Sequence, residues 1–420
     1  MSHAPGERPR RPDTVAVRGG LARSQFDETS EAIFLTSGFV YESAEQAEAA
    51  FKDEIDKFIY SRYGNPTVSM FEERLRLLEG AEACFATASG MSAVFVSLAA
   101  LLAKGDRVVS SRALFGSCFV VIDEILPRWG VESVFVDGSD LEQWRKALSV
   151  PTTAVFFETP SNPMQELVDM RAVCSLAHAA GAKVVVDNVF GTPVFSRPLE
   201  HGADIVVYSA TKHIDGQGRT LGGAVLGPAD YIQGPVKNLM RHTGPAMSPF
   251  TAWVLVKGLE TMSLRVGRQA ENALALAEAL EADPRVTQVL YPWLPSHPQH
   301  ELARAQMLGG GTVVTFGIAG GKEEAFRVVN ALELIDISNN LGDSKSLVTH
   351  PATTTHRRLT PEARAAVGIT DGTIRISVGL EDVRDLIEDV TGALDQLDVR
   401  SHGPLPGVEA RHGDQATRSR

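Results

Sequence analysis

Six short apolar runs recur between residues 107 and 226, and they constrain the fold more than any other feature of the chain. They are Arg107-Val-Val-Ser110, Val134-Phe-Val136, Ala154-Val-Phe-Phe157, Val184-Val-Val186, Ile205-Val-Val-Tyr208 and Gly223-Ala-Val-Leu226. Each is of strand length and continuous rather than alternating, so both faces of each strand need cover. Helical patterns separate them, and Cys84-Phe-Ala-Thr87 reads as a further strand upstream. The combination predicts an α/β fold, a mainly parallel sheet flanked by helices, over about 66–262.

Two helices are predicted ahead of these runs: Ser69–Glu79, stopped by Gly80, and Ser92–Ala103, closed by Gly105. Beyond about 263 the character changes. A helix over Arg268–Glu281 leads to a half-buried strand, Thr312-Val-Val-Thr-Phe-Gly317, and a helix over 322–333. A polar loop over 338–356 follows, then the alternating strand Thr373-Ile-Arg-Ile-Ser377 and a helix over Val383–Leu397. This stretch predicts a smaller C-terminal α+β domain over 263–400. Residues 1 to about 13 and 402–420 are rich in Pro, Arg, Gly and His without periodicity, and are expected to be mobile tails.

Composition narrows the function. The 420 residues carry 40 Lys+Arg against 52 Asp+Glu, a net charge of −12, which argues against a nucleic-acid or anionic-membrane partner. No apolar run approaches membrane-span length. Arg8, Arg10 and Arg11 are not followed by the apolar core of a secretory signal. Cys84, Cys118 and Cys174 are isolated in apolar or mixed segments and read as buried thiols, which fits a reducing, cytoplasmic setting. His350 and His356 have no cysteine or carboxylate at zinc-type spacing, so no metal is assigned.

The chemistry gathers where the strands end. Ile205–Tyr208 empties into Ser209-Ala-Thr211-Lys212, placing two hydroxyls and an amine at a strand's carboxyl end. About 25 residues upstream, Val184–Val186 ends in Asp187. An amine, an acid and phosphate-suited hydroxyls are the parts needed to hold pyridoxal 5′-phosphate as a Schiff base. Lys212 is then the attachment point and proton carrier, and Asp187 the partner that keeps the pyridine nitrogen protonated. Thr87-Ala-Ser89-Gly90-Met91 joins a strand to a helix start, where small residues and the helix dipole favour an anion; its other reading is a serine N-cap. Tyr60-Ser-Arg62 puts a phenol and a guanidinium on one face if extended, a pair suited to phosphate, or else is a surface arginine before a turn. Arg375 projects opposite Ile374 and Ile376, as a carboxylate clamp or a structural ion-pair partner. Gly216-Gln-Gly218-Arg-Thr-Leu-Gly222 is spaced unlike a dinucleotide fingerprint and opens no helix.

Assembled, these residues resemble the γ-family of fold-type I pyridoxal-phosphate enzymes, the trans-sulfuration synthases, lyases and homoserine-ester sulfhydrylases. The resemblance runs from about 14 to 398 and rests on Tyr60–Thr67 (YSRYGNPT), Ala88–Met91 (ASGM), Thr159–Pro163 (TPSNP), Val185–Asn188 (VVDN), Ser209–His213 (SATKH) and Ile374–Glu381 (IRISVGLE). It implies that Lys212 is the Schiff-base lysine and Asp187 the pyridinium partner. Ser89, Gly90, Met91, Ser209 and Thr211 become phosphate ligands, Asn162 a neighbour of the cofactor's O3′, and Arg375 and Asn340 substrate contacts. Tyr60 and Arg62 resemble a phosphate pair donated by a neighbouring subunit, which implies an N-terminal arm over 1–65 and a homotetramer built from dimers.

Two departures stand out. Phe115 occupies the position where many members stack a tyrosine on the cofactor; it can stack but cannot donate a proton. Asn340-Leu-Gly-Asp343-Ser-Lys345-Ser-Leu347, followed by His350-Pro-Ala-Thr-Thr-Thr-His356, resembles the sulfhydrylase branch. The implied activity is γ-replacement: O-succinyl-L-homoserine and sulfide giving L-homocysteine and succinate. The alternatives on this scaffold are cysteine as nucleophile, an acetyl ester, or γ-elimination. Arg112 is a candidate for the distal carboxylate of the leaving group.

Overall fold

The computed structural model describes residues 10–397; the tail expected over 401–420 and most of the one expected at the N-terminus lie outside them. The large sheet has seven strands: β1 (Ala83–Thr87), β2 (Arg107–Ser111), β3 (Glu132–Val136), β4 (Ala154–Glu158), β5 (Lys183–Asp187), β6 (Ile205–Ser209) and β7 (Gly223–Gly227). Their order is β1-β7-β6-β5-β4-β2-β3. β3, β2, β4, β5 and β6 run parallel, and β7 enters antiparallel between β6 and β1. Val184–Val186, Val206–Val207 and Val155–Phe157 are fully shielded, as continuous apolar runs require when helices cover both faces.

β2 leads outward to β3, whereas β4, β5 and β6 step the other way, so the direction of winding reverses between β2 and β4. Such a reversal leaves a crevice at the carboxyl ends of the strands, the usual ligand position in open α/β sheets.

The second sheet comprises β8 (Val286–Leu290), β9 (Val313–Ile318), β10 (Asp336–Ile337), β11 (Leu347–Thr349) and β12 (Thr373–Ser377), in the order β10-β11-β12-β9-β8. Helices Met262–Ala282, Lys322–Ala331 and Val383–Leu394 carry its apolar core, which includes Leu276, Val314, Phe316, Ile374, Ile376 and Leu386. Phe190, Val313 and Leu341 form a small apolar cluster between the two sheets.

Several boundaries differ from expectation. Pro12–Arg18 is a helix with proline in its first turn, where the sequence suggested a tail to about 13. The helix expected over Ser92–Ala103 is Gly90–Ala99, and the Asp106 carboxylate accepts from the Ala103 N–H to fold the next residues into a turn. Helix Met262–Ala282 starts six residues before its expected start at Arg268, and Lys322–Ala331 stops short of 333. β8 was not anticipated, and the 338–356 loop contains the three residues of β11. Cys84, Cys118 and Cys174 are all buried and free. No helix among the described residues is long and apolar enough to cross a membrane.

Candidate active site

β6 delivers Lys212 to the crevice through a tightly held turn. The Asp215 N–H donates to the Ala210 carbonyl at 2.9 Å and the Gly216 N–H to that of Lys212 at 2.7 Å. The Arg265 guanidinium donates to the His213 and Ile214 carbonyls at 3.0 and 3.3 Å. His213 is pinned at both ring nitrogens, by the Val189 carbonyl at 3.1 Å and the Thr312 hydroxyl at 2.7 Å. On this fixed turn the Lys212 amine donates to Asn340 Oδ1 at 2.5 Å. Burial, helped by the positive charge of Arg375, lowers its pKa to about 8.

Asp187 ends the adjacent strand, paired in register with Val207 of β6. One of its oxygens accepts the Val189 N–H at 3.1 Å, and it forms no ion pair among the described residues. Its register partner on β4 is Glu158, whose carboxylate accepts the Phe115 N–H at 2.9 Å and the Asn162 N–H at 2.7 Å. Burial raises the pKa of both acids, and the like charge of Asp187 pushes Glu158 further up. A buried carboxylate without a cation is poorly stabilised; a protonated ring nitrogen is a group that would satisfy Asp187.

The start of helix Gly90–Ala99 faces these strand ends. Ser89 is its N-cap, accepting from the Ser92 N–H at 3.2 Å. A Cβ added to Gly90 would lie 2.4 Å from Cβ of Ser209, and one on Gly223 would lie 2.3 Å from the Ser89 carbonyl oxygen. Two glycines therefore let a helix start, β6 and β7 close on one small space, where backbone N–H groups and the helix dipole suit a phosphate. The Thr211 hydroxyl accepts the Gly222 N–H at 3.0 Å, so it holds its own turn.

Ser89, Gly90, Met91, Phe115, Asn162, Asp187, Ser209, Thr211 and Lys212 line one cavity of about 240 Å³, together with Glu158 and Asn339. Arg375 stands behind it with only 1% exposure. Its Nη1 donates to Asn162 Oδ1 at 2.9 Å, and Nη2 to the Asn339 and Asn340 carbonyls at 3.0 Å each. Its Nε is buried without a partner.

The structure does not bring Tyr60 and Arg62 of this chain into that cavity, and the segment is not extended. It folds as a turn, with the Tyr63 N–H on the Tyr60 carbonyl at 2.8 Å, and the Arg62 guanidinium stacks 5.3 Å from the Tyr60 ring centre and 4.9 Å from that of Tyr63. Arg112 lines a larger adjoining cavity of about 1110 Å³. Sequence reasoning passed over Glu158, although it terminates an apolar strand as Asp187 does and the same argument would have found it. Arg265 lies in a segment with no local pattern pointing to the site, and Asn339 directly precedes the Asn340 motif without having been picked out.

A mainly parallel seven-stranded sheet with lysine and acid on neighbouring strand ends, facing a glycine-lined helix start, defines an enzyme of the fold-type I pyridoxal-phosphate class. The chain belongs to the Cys/Met metabolism PLP-dependent enzyme family, whose model matches residues 13–395, and pyridoxal 5′-phosphate is its cofactor. It is 66% identical over 385 residues to the O-succinylhomoserine sulfhydrylase of Mycobacterium tuberculosis, covering 91% of this chain and 95% of that protein. It is 48% identical over 385 residues to the protein of the same name from Pseudomonas aeruginosa, covering 92% and 95%. Among solved structures, cystathionine gamma synthase from Xanthomonas oryzae pv. oryzae, in complex with aminoacrylate and cysteine, superposes with a TM-score of 0.88. The two are 34% identical, over 93% of this chain and 99% of that one.

Proposed function

We propose that this enzyme joins sulfide to the homoserine skeleton of O-succinyl-L-homoserine, releasing succinate and forming L-homocysteine. The observation that carries the reading is the shared cavity of Lys212 and Asp187, with Arg375 directly behind it. The names of the 66% and 48% identical relatives support this ester and this nucleophile over the alternatives.

Pyridoxal phosphate, when bound, supplies an electron sink for carbanion chemistry at an amino acid. The protein's residues do the rest. Asp187 would hold the positive charge of the ring nitrogen, and the Gly90–Met91 backbone with Ser89, Ser209 and Thr211 would form the phosphate seat. Phe115 and Asn162 line the same cavity, where Phe115 would stack on the ring and Asn162 would lie beside it. Arg375 clamps the substrate α-carboxylate, its unpartnered Nε and the second hydrogen of Nη1 being donors still free. Lys212, with a pKa near 8, is in part a neutral amine at neutral pH and can take the Cα proton and pass protons to and from Cβ. Asn340 Oδ1 aims that amine. At Cγ the bond to the ester oxygen breaks, succinate departs with the electron pair, and the bond to sulfur forms.

The same reading divides the chain into an arm over 1–65, a cofactor domain over 66–262 and a C-terminal domain over 263–400. It also makes the enzyme a cytoplasmic homotetramer, in which Tyr60 and Arg62 complete a neighbouring subunit's phosphate seat. Exposed apolar residues in the arm, Phe26 at 80%, Leu35 at 72% and Val40 at 89%, support such burial between subunits.

The test is to supply holoenzyme with O-succinylhomoserine and either sulfide or cysteine. Homocysteine and succinate in equal amounts are expected from sulfide. Predominant cystathionine from cysteine, or mostly 2-oxobutyrate and ammonia, would overturn the assignment.

A further inference from the structure

We infer that Arg357 and Arg358, with Arg112 opposite, form the seat for the distal carboxylate of the ester's acyl chain and set the preference for a succinyl over an acetyl group. The inference rests on the homoserine-ester reading above and adds to it a place for the leaving group.

All three arginines line the 1110 Å³ cavity, which shares Met91, Phe115, Asn162 and Asn339 with the Lys212 cavity. A substrate reacting over Lys212 therefore has one adjoining space into which its acyl chain can extend. The loop that carries Arg357 and Arg358 is fastened to the site by its other residues. The Thr355 carbonyl packs beside Gly116, where an added Cβ would meet it at 3.1 Å. His356 is buried next to Arg375 and interacts with the Asn162 and Leu114 backbone.

The hydroxyls of that loop are already used. Thr354 Oγ1 bonds Thr349 Oγ1 at 2.8 Å and the His350 carbonyl at 2.7 Å, Thr353 Oγ1 bonds the His350 ring at 2.9 Å, and Thr355 Oγ1 bonds the His356 ring at 2.9 Å. The guanidinium groups of Arg357 and Arg358 are not: neither has a side-chain hydrogen bond or ion pair among the described residues, while Arg112, also without one, lies near enough to Glu166 for its charge to lower that carboxyl's pKa. Against them the cavity lining offers one carboxylate, Glu124. On a chain of net charge −12, this is a local cationic rim at the mouth of the site. Guanidinium forks recognise carboxylates by paired hydrogen bonds, and cationic clefts concentrate anions. An O-succinyl ester carries a second carboxylate at the far end of its acyl chain; an O-acetyl ester carries none.

The experiment compares wild-type holoenzyme with the double variant Arg357→Ala/Arg358→Ala and with Arg357→Lys/Arg358→Lys. Two quantities are read: kcat/KM for the succinyl and acetyl esters with sulfide, and the dissociation constant of free succinate by calorimetry. In the alanine variant, the succinyl-to-acetyl ratio of kcat/KM should fall about 10- to 100-fold, mainly through KM, and succinate should bind about 10-fold more weakly or worse. The lysine variant should recover part of both, since the charge remains and the fork is lost. A succinyl-to-acetyl ratio and a succinate affinity both unchanged from wild type would overturn the inference. Absence of homocysteine formation by the wild-type enzyme would instead sink the sulfhydrylase reading, and the succinate affinities would still decide whether the rim binds a dicarboxylate.

Discussion

Lys212 shows how far one residue's chemistry is set by its surroundings. Its amine is fixed by Asn340 and disfavoured as a cation by burial, so it is poised to exchange protons near neutrality. Lys212→Ala is expected to abolish the visible absorbance of the bound cofactor and to lower turnover by several orders of magnitude; a variant that keeps both would remove the lysine from its role. Lys212 and Asp187 could be read from the sequence because each terminates an apolar run, and a strand end in a parallel sheet has a known address. Glu158 has the same signature but supports the site from underneath, through the backbone of Phe115 and Asn162. Thr211 lines the same cavity, and its hydroxyl also accepts the Gly222 N–H, a local contact that residue type alone cannot reveal.

Among the elements, helix Gly90–Ala99 meets β6 closely at the phosphate seat. Gly90→Ala would place a methyl group 2.4 Å from Cβ of Ser209, where neither backbone can yield without reshaping the phosphate seat. Overpacking of this kind costs about 1–3 kcal/mol, so cofactor affinity should drop about 5- to 150-fold in a fluorescence titration, with the circular dichroism spectrum unchanged. Affinity equal to wild type would show that this seat does not bear on the phosphate. Elements with strong periodicity were the legible ones: Thr373–Ser377 alternates and is β12 to the residue. β8 is a half-exposed edge with a register shift between Val286 and Gln288, and β11 has three residues, so neither offers a pattern to read. Helix Gly90–Ala99 ends before its apolar residues do, because tertiary burial of Leu101 and Leu102 continues after the backbone has turned.

Taken as a whole, the molecule buries titratable groups of both kinds, and their opposing effects give stability a definite pH dependence. Burial raises Glu72 to about 7 and Glu79 to about 8, so the folded protein retains protons that the unfolded chain releases above about 4.5. Stability from these acids falls as pH rises toward 8. Burial lowers His213 to about 3 and His297 and His356 to about 4, so their influence has the opposite sign and ends near 6.5, the unfolded value. Between about pH 6.5 and 7.5 the acids dominate, since the lowered Lys212 amine begins to act with the opposite sign only near 8, and the melting temperature should decline. Glu79→Gln should lessen that decline by up to about 1.4 kcal/mol per pH unit. An identical slope in the two proteins would show that Glu79 is ionised in the fold. The proposed assembly is checked by light scattering, which should give about four times the 45.2 kDa of one chain; a monomer would leave Tyr60 and Arg62 without the role given them. The presence of two sheets was visible in the change of pattern along the chain, but the contacts joining the sheets were not, since they link residues far apart in sequence. One of them is the bond between Lys212, just after β6, and Asn340, between β10 and β11, 128 positions away. The seating of one half on the other thus sets the aim of the reactive nitrogen. A slight slip at that seam would misdirect it with both cores intact, so rising denaturant should extinguish turnover well before helix content declines.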